Sequence, residues 1–108
     1  MVEPFPFVDW PLHDAVLREI VVDWESQSCR IHVSAFLEPN TRAVACTLTW
    51  TGVKEVSVPM FQPWGRSIFI NSQAQESPNR YLIEVQSGDV ITIEANEGGF
   101  ERDADVAV

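Results

Sequence analysis

The sequence predicts an all-β fold: an antiparallel sandwich or half-open barrel of about seven short strands, with little or no helix. Three observations predict it. Apolar and polar residues alternate in several separate segments, turn-forming residues recur about every ten positions, and no long stretch keeps a helical period throughout. With 108 residues, 45% of them hydrophobic and 21% charged, and with only five glycines and seven prolines, the chain suits one domain with a modest core and excludes a low-complexity or collagen-like polymer.

Residues 1–11 (MVEPFPFVDWP) hold three prolines. Proline lacks an N–H donor and pushes the residue before it toward extended backbone, so an extended arm is expected, pinned by Phe5, Phe7, Val8 and Trp10. A single β domain is expected over 12–95. Residues 14–25 carry two signals, since Val16, Leu17, Ile20, Val21 and Trp24 recur at helical spacing while Ile20-Val21-Val22 is a stiff β-branched run. Register favours a strand. Pairing Trp24 with Cys29 across a turn at 25–28 sets Val22 opposite Ile31 and Ile20 opposite Val33 on the buried side. It also sets Leu17 opposite Phe36 on the outer face, where Val21, Leu82 and Val90 add apolar surface for a second core layer or a subunit contact.

Cys29, Ile31, Val33, Ala35 and Leu37 then form the inner face of a half-buried strand, and Val44, Cys46, Leu48 and Trp50 that of the next. Ala35 or Leu37 is expected opposite Val44. A three-residue loop at Thr51-Gly52-Val53 would pair Leu48 with Val56 and Cys46 with Val58, and short strands fit Val56–Val58 and Ile68–Ile70. Tyr81, Ile83 and Val85 alternate, as do Ile91, Ile93 and Ala95, and a loop at Ser87-Gly88-Asp89 would pair Val85 with Ile91 and Ile83 with Ile93. From Glu84 to Val108 seven acids face one base, Arg102, so residues 96–108 read as a mobile acidic tail.

The net charge of −9 argues against nucleic acid or an anionic membrane as partner, because both select clustered Lys and Arg. It suits another protein, particularly a basic one. Cys29 and Cys46 make no C-x-x-C pair and lie at different ends of their strand pair, so neither a disulfide nor a metal site is expected, and no cofactor is implied. Free thiols, the lack of an apolar run of about 18 to 20 residues and the lack of a basic leader fit a cytoplasmic protein.

The segment Met60–Ser67 is the most distinctive. Pro63 fixes φ and Gly65 permits a tight turn, while Trp64 and Arg66 are side chains that often anchor binding surfaces. Alternatively, Trp64 plugs one end of the core and Arg66 pairs with a local acid. His13-Asp14 sets a histidine beside an acid where the arm meets the first strand, and with Arg66 and Asp89 it could gather a small-ligand or hydrolytic site. Bracing the strand start is the alternative role of the pair. His32 falls on the outer face. No nucleophile elbow, phosphate loop or zinc-binding helix motif is present, so no catalytic residue is assigned.

LHDAV at 12–16, PWGRS at 63–67, IFIN at 68–71 and IEVQSGDVI at 83–91 together resemble a group of small uncharacterised bacterial proteins with LHDA-like, PWGxSxxIN-like and IExQSGD-like motifs. That resemblance covers most of the chain in order and implies no activity. The HDA opening also resembles some immunity proteins of bacterial polymorphic toxin systems, which implies a small acidic β-rich protein that blocks a cognate toxin. The expected function is a non-catalytic, acidic protein-binding module, immunity-like or adaptor-like. The alternatives are the small-ligand site and a self-associating structural protein, possible as a homo-oligomer through its outer apolar residues or an edge strand.

Overall fold

The computed structural model describes residues 6–38, 42–59 and 69–103. Eight strands form there: β1 (Val16–Asp23), β2 (Ser28–Ala35), β3 (Val44–Thr51), β4 (Glu55–Ser57), β5 (Ile70–Ser77), β6 (Arg80–Val85), β7 (Val90–Glu94) and β8 (Glu97–Arg102). They build two four-stranded sheets, one in the order β1-β2-β3-β8 and the other in the order β4-β7-β6-β5, with every neighbouring pair antiparallel. The architecture is all-β, as the alternating segments predict.

Alternation explains where the core lies. Cys29, Ile31 and Val33 of β2, Cys46, Leu48 and Trp50 of β3, and Phe100 of β8 are buried on one side. Tyr81, Ile83 and Val85 of β6, with Ile91 and Ile93 of β7, are buried on the other. All belong to one apolar cluster, so the sheets share a core. Phe7 and Trp10 close that core from the arm. Phe7 meets Tyr81 and Trp50 edge-on, with ring centroids 5.2 and 6.2 Å away, and Trp50 reaches Tyr81 of the opposite sheet at 5.7 Å. The Gln73 amide donates to the carbonyls of Phe7 (3.1 Å) and Trp10 (2.6 Å), tying the arm to β5.

The arm departs from the purely extended reading. Phe7–Asp9 forms a short 3-10 turn, Val8 points to solvent, and Phe5 lies outside the described residues. In β1 the register is two residues from the expected one: Val22 faces Cys29, Ile20 faces Ile31, and the turn is Trp24–Gln27. A shift of two preserves which face is buried. A register shift between Leu17 and Glu19 then turns Leu17 toward the core, opposite Val33 and not Phe36. Ala35 faces Val44 as expected, and the separation of the two cysteines holds, with Cys29 opposite Trp50 and Cys46 opposite Val33, both as free thiols.

The remaining differences concern connections. β3 and β4 do not form a hairpin, because the chain crosses between sheets at 52–54: β4 pairs with β7, and the far side of β3 is taken by β8. Gly52 makes the corner at φ +62°, and a Cβ there would meet the Asn96 side chain. β8 therefore occupies residues 97–102 of the stretch 96–108 read as a mobile tail, a correction of that reading; residues 104–108 lie outside the described residues. The β6–β7 hairpin again keeps its parity with a two-residue shift, Ile83 facing Ile91 and Tyr81 facing Ile93, and Gly88 adopts φ +95° in its turn. The strand expected at Ile68–Ile70 instead begins at Ile70 and runs to Ser77.

Candidate functional site

Among the described residues, the β1–β2 turn builds a conspicuous surface feature. Asp23 ends β1, and its carboxylate accepts hydrogen bonds from the backbone N–H groups of Glu25 (3.0 Å) and Ser26 (3.1 Å), the turn motif for which a short acid is suited. These bonds, Ser26's foremost, hold the Asp23 carboxyl below its ordinary pKa and keep it ionised. Gln27 completes the turn in the left-handed region at φ 54°. The turn projects Trp24 outward: it is 84% exposed, the most exposed large apolar side chain among the described residues.

The crossover lies against this turn, with Val53 N–H donating to the Gln27 carbonyl (2.9 Å) and Lys54 N–H to that of Glu94 (2.7 Å). Between the end of β1 and β4 a groove of about 430 Å³ results. Trp24 and four valines (Val22, Val53, Val56 and Val58) supply its apolar wall, and exposed Asp23, Lys54 and Glu55 its charges. The sequence reading placed Trp24 at a strand end; the two-residue register shift moves it into the turn and exposes it.

The expected polar site comes together only in part. Asp14 sits at φ 65°, its N–H donating to the Ile70 carbonyl at 2.8 Å, and His13 Nδ1 donates to the Asn71 carbonyl at 2.9 Å. His13 Nε2 lies 3.6 Å from the Asp14 carboxylate, with both side chains well exposed to water. Asp14 lines a separate cleft of about 410 Å³ with Phe36, Phe69, Asn71 and Gln86, whereas His13 and Asp89 take no part in its wall. Asp89 instead accepts a hydrogen bond from the Ser87 hydroxyl within its own turn at 2.9 Å. Trp64, Gly65 and Arg66, with the whole Met60–Ser67 segment, lie outside the described residues.

A third polar group crosses the outer face of the first sheet. Glu19 is 3.8 Å from His32 Nε2, His32 Nδ1 is 3.1 Å from the Thr47 hydroxyl, and that hydroxyl donates to Asp103 at 2.6 Å. Because the Thr47 proton goes to Asp103, His32 serves Thr47 as a donor. The row joins β1, β2 and β3 to the end of β8. Among the described residues no three His, Cys, Asp or Glu side chains are placed to hold a metal, and no helix is long and apolar enough to cross a membrane.

Fold and groove together define a small two-sheet β domain that carries, among the described residues, an apolar recess beside an exposed aromatic side chain. Among solved structures, the chain is similar to an uncharacterised protein from Neisseria gonorrhoeae, with TM-score 0.59 and 14% identity over 82% of this chain and 91% of that one. At that identity the likeness is one of fold. No protein-family model and no curated protein matches the sequence.

Proposed function

We propose that this chain is a non-catalytic, acidic protein-binding module, immunity-like or adaptor-like, that grips another protein through the Trp24 groove. The observation carrying the reading is Trp24 itself, 84% exposed at the rim of an apolar groove. A tryptophan left in water forgoes the stabilisation its large apolar surface would gain on burial, and Trp is the residue type most often found to dominate binding energy. The net charge of −9 adds long-range attraction for a basic partner and would make association salt-sensitive. Trp64 and Arg66 are additional anchors under this reading.

The test is capture of a partner by tagged wild-type protein, followed by affinity measurement with the Trp24→Ala, Trp64→Ala and Arg66→Ala variants. Since a hot-spot tryptophan contributes about 2 kcal/mol or more, Trp24→Ala is expected to weaken binding by about 30-fold or more with no loss of thermal stability. Unchanged affinity in a folded Trp24→Ala variant would remove the groove as the binding surface.

A further inference from the structure

The four sheet edges are unequally protected against pairing with another strand. β4 has only three residues, β5 carries two register shifts over a polar run, and β8 opens on Glu97-Gly98-Gly99 and closes on Glu101-Arg102. Short length, bulges and charge are all features that blunt an edge. β1 is different. Beyond its one shift, Glu19–Asp23 runs in unbroken register against β2 and carries three consecutive β-branched residues, Ile20-Val21-Val22. Among the described residues its outer side is bridged only at Val16, to Phe69. Val22, 38% exposed, lies on both this edge and the groove, and β4 contributes the groove's opposite wall.

We infer that β1 is a docking edge for an extended peptide of alternating apolar and basic residues, which joins the first sheet as an added strand and seats apolar side chains in the groove beside Trp24. The inference rests on the binding-module reading and specifies the partner's chemistry. An outer strand presents unpaired N–H and C=O groups at alternate residues, and a guest backbone can satisfy them. Every second guest side chain then projects to the same side as Val22, toward Val53, Val56 and Val58. Charge selects the guest. Glu19, Asp23, Glu25 and Glu55 lie on the edge and the groove against Lys54, with Arg18 of β1 turned to the Ser34 hydroxyl and Arg30 opposite Val21, so acids outnumber bases, and the turn keeps Asp23 ionised. A basic strand is attracted, whereas a second copy of a chain carrying −9 is repelled.

The test uses synthetic peptides about ten residues long, enough to span β1, with valine alternating with lysine or with glutamate. Two further lysine peptides carry N-methyl groups on alternate amides, one in each parity. Binding is followed by calorimetry and by amide hydrogen exchange of residues 19–23. The lysine peptide is expected to bind and protect β1 amides, the glutamate peptide to bind at least tenfold more weakly, and only one of the N-methyl parities to lose about tenfold or more, since only one set of guest amides faces β1. Failure of the lysine peptide to bind, or equal binding of both N-methylated forms, overturns strand addition. If the captured partner still depends on Trp24 in that case, the binding-module reading survives without it. At neutral pH and low salt, protection of β1 that rises with protein concentration in the absence of peptide would assign the edge to a second copy and also overturn the inference.

Discussion

Single residues show how environment reassigns a side chain that looks ordinary in the sequence. Cys29 and Cys46 are fully buried, and burial pushes both thiols up to about 11, with Asp103 adding to the rise at Cys46. Between the ordinary thiol value of 9.0 and about 11 the folded chain therefore holds protons that the unfolded chain has lost, so these thiols lower stability as pH rises through that window. Tyr81, also raised by burial, acts in the same direction. The urea midpoint is expected to fall from pH 9 to pH 11, and less steeply in a Cys29→Ala, Cys46→Ala double variant; equal slopes would mean that the thiols are not the cause. The burial of both cysteines was legible from strand parity. The exposure of Trp24 was not, because an aromatic residue at the end of an apolar run is ambiguous between the last strand position and the first turn position, and two residues of register decide it.

At the scale of elements, parity was readable and pairing was not. Buried alternation fixes which side of β2, β3, β6 and β7 faces inward, and the structure keeps every one of those assignments even where the register moves by two. Nothing local distinguishes a hairpin from a crossover, so the chain's passage from β3 to β4 in the other sheet was invisible. β5 and β8 were hidden for a related reason: both are edge strands, and their polar composition is that of a solvated loop. β8 shows what the missed signal was. Gly98 lies opposite Trp50, and a Cβ on it would sit 2.6 Å from the Trp50 indole nitrogen, so the glycine gives the indole its space. Gly98→Ala is accordingly expected to displace an indole packed against Phe7, Trp10 and Tyr81 and to lower unfolding free energy by about 1 to 3 kcal/mol, as overpacking does. Chemical denaturation checks this. A variant as stable as the wild type would show that β8 does not hold Trp50 in place.

For the whole molecule, a charge of −9 and an apolar edge strand act against each other. The edge invites another strand, and mutual repulsion between copies opposes the nearest candidate, a second chain. That balance depends on pH, because the charge disappears near the sequence pI of about 4.4. The chain is therefore expected to sediment as a monomer at neutral pH and low salt, and to associate increasingly as pH falls toward 4.4 or as salt screens the repulsion at neutral pH. Val22→Lys places a charge on the groove side of β1 without altering the other edges, and charges on an edge strand are a means by which sheets resist pairing. It should suppress the low-pH association while leaving the neutral-pH fold unchanged by circular dichroism. Association that persists undiminished in Val22→Lys would locate the contact elsewhere, with the exposed Phe36 and Phe69 beside the Asp14 cleft as the next surface to alter. Association abolished by the variant would show that charge keeps this edge open to a partner other than itself.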